Sequence, residues 1–184
     1  IGLICLNPHI PETEALGQKA TSMLTSKLQQ IATTNGMSGA GFDNRFIITA
    51  HIQKLKSSQT QTFPQKNAVE ISIGIYVGDG LDGTLYSSYN CEEKGIGSSE
   101  DQAIAAAVRK VNPNQEELQR AIIKGKEMIL KYYDKMSGNI IKTAKATAAA
   151  GRYEDAINML FAIPMNNKDF QTAQSLIAQY GSTS

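Results

Sequence analysis

The chain has no tryptophan, two cysteines, two histidines and five prolines in 184 residues, and each scarcity removes a class of function. Cys5 and Cys91 stand too far apart for a C-x-x-C metal hook, and two cysteines do not make a disulfide framework. They are either two buried thiols or one bridge tying the first strand to the last, which requires an oxidising compartment. His9, in a proline-flanked turn, and His51, on a strand and facing opposite to Ile52, lack the spacing of a metal pair. No metal and no cofactor is expected. G-x-S-x-G, H-E-x-x-H and Cys-His signatures are missing. No apolar run approaches the roughly 18 residues that span a bilayer, and no charged leader with an apolar core is present. The chain begins at Ile1 without an initiator methionine, so a leader or lipid anchor removed upstream would leave no trace in it.

A surplus of charge is also missing. Eighteen basic against seventeen acidic side chains leave a formal charge of +1, which argues against a large footprint for nucleic acid or anionic lipid and leaves room for a small local patch. Arg45, Lys54, Lys56 and Lys66 fall near one hairpin without aromatic interleaving or a helix-turn-helix pattern, so they read as a solvated edge. No nucleic-acid partner is expected.

What is present is a globular composition, 41% hydrophobic and 19% charged, and one dominant pattern. In V-E-I-S-I-G-I-Y-V, Val69, Ile71, Ile73, Ile75 and Val77 share one face and Glu70, Ser72, Gly74 and Tyr76 the other. Arg45 to Leu55 repeats the alternation with Phe46, Ile48, Ala50 and Ile52. Two antiparallel neighbours are expected, joined by a polar connection from Lys56 to Asn67. The run Ile1 to Leu6, closed by Asn7-Pro8, reads as a central strand. G-D-G-L-D-G, residues 78 to 83, followed by Thr84 to Cys91, reads as a hairpin. Asp79 and Asp82 are hairpin residues in this reading, because a calcium loop needs further carboxylates. The glycine loop Met37 to Asn44 lies between a helix and a strand, the wrong order for a phosphate-binding loop.

Helical signals flank the strands. Pro11 opens a helix with Glu12 and Glu14 in its first turn, an apolar stripe of Leu16, Ala20, Met23, Leu24, Leu28 and Ile31, and a stop at Asn35-Gly36. Ser98-Ser99 caps a second helix running to about Lys110. Asn112 and Pro113 open a third, running to about Met136, on which Tyr132 and Tyr133 read as packing residues. Ser137-Gly138 marks a boundary, followed by an Ala-rich helix to Ala150, Gly151, and a helix over Arg152 to Ile163 ended by Pro164. The expected class is α+β (an α/β sandwich): a mixed, largely antiparallel sheet with helices on one face over residues 1–136, and a helical hairpin over 137–184 docked on it.

The string A-A-G-R-Y-E-D-A-I with Pro164 resembles half of a tetratricopeptide repeat: glycine at the helix turn, an aromatic two residues later, then alanine and an aliphatic, and a closing proline. The resemblance covers 139–164, with Lys168 to Tyr180 as the start of a second, incomplete repeat. It implies protein binding, and the residues it singles out are Tyr153, Ile157 and Phe161. Over 1–136 the order of strand, long helix, β-meander and helices resembles the amino-terminal domain of TolB, of lipoprotein activators of penicillin-binding proteins and of curli-secretion lipoproteins. The whole is similar to envelope proteins of Bacteroidetes-type bacteria that join such a domain to a Y-Y-D segment, here Tyr132-Tyr133-Asp134. These resemblances imply a periplasmic or outer-membrane-associated protein that binds other proteins and is not an enzyme. The alternative is an enzyme whose site is built of scattered residues.

Overall fold

The structure is a computed structural model that describes residues 4–38 and 45–183. Residues 1–3 of the expected first strand and 39–44 of the glycine loop lie outside the described residues.

The alternating segments form the centre of a four-stranded mixed sheet of order β1-β2-β3-β4, made of β1 (Asn7–His9), β2 (Phe46–Gln59), β3 (Asn67–Asp79) and β4 (Leu85–Gly97). Ile73 stands opposite Ile52 on β2 and Cys91 on β4, both antiparallel. The β2 and β3 ladder continues to Gln59 opposite Asn67, so the polar connection expected from Lys56 is paired strand for its first residues. The short loop left over is closed by the Thr60 amide on the Lys66 carbonyl at 2.8 Å. β4 likewise runs beyond Cys91 to Gly97.

The first strand corrects the sequence reading. It is an edge strand, it covers Asn7–His9, and it pairs parallel to β2. Pro8 has no N–H to give a second neighbour, which suits it to an edge. Leu6 and Ile4 are buried ahead of it.

Three helices cover one face of the sheet, α1 (Gln18–Thr34), α2 (Glu100–Arg109) and the amino-terminal half of α3 (Glu116–Ala149). Val69, Ile71, Ile73, Ile75 and Val77 are all buried beneath them, and Ser88, Asn90, Glu92 and Lys94 stand exposed on the other face. Close approach depends on two glycines. A Cβ on Gly95 of β4 would stand 2.0 Å from the Ala103 carbonyl oxygen of α2, and one on Gly125 of α3 would stand 2.7 Å from Val77.

α1 does not begin at Pro11. Glu12–Glu14 form one 3₁₀ turn, Ala15 reverses the chain at φ 49°, and Gly17 is the helix N-cap. Glu14 accounts for the break: its carboxylate takes the Ile52 amide and His51 Nδ1, each at 2.8 Å, pinning that turn to the edge of β2. α2 begins as expected, with the Ser99 hydroxyl accepting from the Gln102 amide. α3 starts three residues after Pro113, because Asn112 Oδ1 takes the Asn114 amide in a turn and Gln115 supplies the cap.

α3 also runs through Ser137-Gly138, where a break was expected. Its buried stripe, Leu118, Ile122, Gly125, Ile129, Tyr133, Ser137, Ile141, Ala144 and Ala148, keeps one phase along the 34-residue helix. The stripe serves two apolar clusters: up to Tyr133 it packs on the sheet, and from Ile141 it packs on α4 (Tyr153–Phe161) and α5 (Phe170–Thr183).

Candidate functional site

A concave feature with apolar walls lies between the second half of α3 and α4. Gly151, at φ 84°, turns the chain back so that α4 packs on α3. α4 has three faces in consequence. Ala156 and Leu160 are buried, Tyr153 and Ile157 pack into the second cluster with α5, and Asp155, Asn158, Met159 and Ala162 face α3 across a groove of about 610 Å³. Tyr132, Tyr133, Met136 and Ile140 form the opposing wall. At a rise of 1.5 Å per residue, the span from Tyr132 to Thr143 makes the groove about 16 Å long, three turns of helix.

A partly buried polar network fixes this geometry and explains the serine within α3. The fully buried Ser137 hydroxyl donates to Asp169 at 2.5 Å, Asn167 Oδ1 accepts the Asp169 amide at 2.8 Å, and Asn167 Nδ2 donates to Asp134 at 3.3 Å. The segment between α4 and α5 is thereby tied to the middle of α3.

The upper end of the groove is held to the sheet by aromatic and charged contacts. Phe46 of β2 meets Tyr132 and Tyr133 edge-on at centroid distances of 5.4 and 5.7 Å. The Arg45 guanidinium lies 4.7 Å from the Tyr132 ring centroid and donates from Nε to Asp79 at 2.5 Å. Asp79 is buried and also accepts the Leu81 amide at 2.8 Å, so its carboxylate organises the hairpin turn. Hydrogen bonds from Thr84, and then the Arg45 charge, hold the Asp82 carboxyl below the usual carboxylate range. Burial, reinforced by Asp79 and Asp82, pushes the Tyr86 phenol up. This is a structural tie that fixes Tyr132 as a wall of the groove.

No family model matches the chain, and no curated protein matches it. Among solved structures it is similar to a minor lipoprotein from Acinetobacter baumannii, at 11% identity and a TM-score of 0.39, over 69% of this chain and 97% of that one. It is also similar to a candidate lipoprotein from Caulobacter crescentus, at 14% identity and a TM-score of 0.34, over 73% of this chain and 91% of that one. Both likenesses are too slight to carry an argument about fold or function.

Of the residues singled out by the repeat-like string, Tyr153 and Ile157 lie against α5, with the Tyr153 ring 5.9 Å from Tyr180, and Phe161 is half-buried at the end of α4. The structure does not bring the three to the groove. Its walls come from residues one step round each helix, and Met136 with Ile140, at i and i+4, is the sequence signal for them. The four cations grouped near the hairpin are dispersed. Arg45 is at the far end of β2 with Asp79, Lys54 pairs with Glu100 at 2.6 Å, Lys56 lies 4.0 Å from Glu70, and Lys66 borders a different cavity. His9 is exposed on β1, and His51 meets only Glu14 among the hydrogen bonds of the described residues. No group of three metal-ligating side chains is present among the described residues, and no helix there is long and apolar enough to cross a membrane. Cys5 and Cys91 are both thiols. Cys91 is on β4 and Cys5 precedes β1 at the opposite edge, so β2 and β3 separate them.

Proposed function

We propose that the chain is a non-enzymatic protein-binding module of the bacterial cell envelope, and that the α3–α4 groove receives an amphipathic helix of a partner protein. The observation that carries the reading is the groove itself: three helical turns long, walled by Tyr132, Met136, Ile140, Met159 and Ala162, with Tyr132 at one end stacked under Arg45 and the middle of α3 tied to the segment after α4. A helix lays apolar anchors at i, i+3, i+4 and i+7 into such a groove, and methionines adapt to their shapes. The repeat-like string from Ala149 to Ile157 supports the same use of the hairpin. Placement in the periplasm or at the outer membrane is supported by the order of elements over 1–136.

The test uses Ile140→Glu and Met159→Glu, both at half-buried positions on the groove walls. Envelope fractions of the native host are passed over the immobilised wild type and each variant, after thermal melts confirm that the folds match. A protein held by the wild type and lost by both variants is expected, and a peptide of its binding segment should gain helical circular dichroism on titration with the wild type. Equal retention on all three proteins defeats the reading.

A further inference from the structure

We infer that the groove between α1 and α2 is a second docking surface, and that it takes an acidic, extended segment of a partner protein. The cavity there is about 700 Å³, with Met23, Ala105, Ala106 and Ile96 supplying apolar surface and three cations around it. The cations come from three elements: Lys19 from the start of α1, Lys66 from the loop between β2 and β3, and Arg109 from the end of α2.

What marks these cations is their convergence on one cavity without a lining acid. Five basic side chains have an acid partner: Arg45 pairs with Asp79, Lys54 with Glu100, Lys56 with Glu70, Arg120 with Glu116 and Arg152 with Asp155. Among the described residues no ion pair involves Lys19, Lys66 or Arg109, and no acid lines the cavity. α1 contains no acidic residue over its 17 positions. Of the acids in the first turn of α2, Glu100 pairs with Lys54, and Asp101 stands at the margin of the groove with both oxygens taken by the Lys19 and Ala20 amides. A second cavity, of about 920 Å³, shares Ser26 and Arg109 with the first and adds Lys27 and Lys110, again with no acid in its lining. The buried Lys27 ammonium donates to the Arg109 carbonyl at 2.9 Å, which fixes the end of α2 against α1. A protein of net charge +1 thus gathers three cations around one cavity that no acid lines.

The shape chooses among anions. A lipid surface is flat and requires a projecting apolar face, whereas this apolar surface belongs to a concavity. Single-stranded nucleic acid needs aromatic platforms, and neither cavity has an aromatic side chain in its lining. A peptide backbone with alternating side chains fits, its apolar residues on the floor and its carboxylates on the rim. The length of α1, about 26 Å at 1.5 Å per residue, accommodates about eight extended residues.

The probe is a fluorescein-labelled peptide of about eight residues alternating glutamate and leucine, followed by anisotropy. The wild type is expected to bind it, and to bind it less as salt rises from about 50 to about 200 mM. Combined Lys19→Glu, Lys66→Glu and Arg109→Glu should weaken binding about tenfold or more, and Arg109→Glu alone should weaken it in the same direction. All three side chains are exposed, and thermal melts verify the folds. Met159→Glu, in the other groove, should bind the peptide like the wild type, so that failure of one surface is distinguishable from failure of the other. Absence of peptide binding overturns the inference, as does binding unchanged by the charge reversals, or association only with phosphatidylglycerol vesicles or single-stranded DNA.

Discussion

The Asp101 carboxylate accepts the Ala20 amide at 2.9 Å, so the first turn of α2 caps the start of α1 from across the protein. Its other oxygen takes the Lys19 amide at the same distance, and the local N-cap, Gly17, supplies no side chain. Replacing a capping acid by alanine costs about 1 to 2 kcal/mol. Asp101→Ala should therefore lower the urea midpoint with no change in slope. A Cβ on Gly17 would lie 2.4 Å from the Asp101 carboxyl carbon, so Gly17→Ala displaces the same cap. The two substitutions together should cost less than their sum, and strict additivity in a double-mutant cycle would show that Gly17→Ala does not act through the Asp101 cap.

Ile73 has no exposed surface and stands between Ile52 and Cys91 at the centre of the sheet. An unpaired carboxylate there costs several kcal/mol against a typical total of about 5 to 15. Ile73→Asp should abolish soluble, cooperatively unfolding protein, and a variant with a sharp thermal transition would contradict the register.

Two glycines should respond in opposite directions to alanine. Gly138 is inside α3 without positive φ, and a Cβ there meets nothing within 4 Å. Gly138→Ala should stabilise by about 1 kcal/mol through helix propensity alone. At Gly95 the obstruction is backbone, the Ala103 oxygen at 2.0 Å and the Ala107 nitrogen at 2.5 Å. Gly95→Ala should cost about 1 to 3 kcal/mol, as overpacked sites do. Chemical denaturation reads both, and a Gly95→Ala variant as stable as the wild type would refute the packing of α2 on β4.

Such contrasts show what was legible in the chain. The faces of β2 and β3 follow from a period of two, which is local, and the stripe of α3 follows from a period of 3.6. The continuity of α3 through Ser137-Gly138 is masked locally by two weak helix formers and is visible only along that stripe. Ser137 falls in phase with Tyr133 and Ile141 and is spent on Asp169, a partner 32 residues away that no local pattern announces. The Arg45 and Asp79 pair was hidden for the same reason, since it depends on Phe46 being in register with Asp79. The groove walls were half visible: the hairpin was readable from its glycine and its apolar spacing, while the division of α4 among α3, α5 and solvent depends on tertiary packing.

Cys5 and Cys91 give a test of strand order. Three strand spacings of about 4.8 Å separate the edges of the sheet, whereas bridged Cα atoms stand within about 7 Å. Denatured, unreduced protein should titrate two thiols. Burial, with Glu93 adding to it, pushes the Cys91 thiol up, so in the native state less of it is thiolate and its alkylation at neutral pH should be slower than after unfolding. Recovery of no thiols would mean that the two edges meet.

The carboxy-terminal hairpin gives the test that joins stability to function. The buried members of the sheet cluster all precede residue 138, and Ile140 and Ala162 touch that cluster only from its margin. A chain ending at residue 138 should fold, with a cooperative melt. It should also be less stable, because it loses the margin contacts and the ties from Asp169 to Ser137 and from Asn167 to Asp134. Ser137→Ala in the full chain isolates one of those ties. It removes the donor to Asp169, and loss of a charge-assisted bond at a buried site costs about 1 to 3 kcal/mol. The truncated chain also lacks the α4 wall of the groove and should lose any partner that Met159→Glu loses. If truncation leaves both the melting temperature and partner capture at the level of the full chain, the hairpin is an independent tail and the groove is not the binding surface.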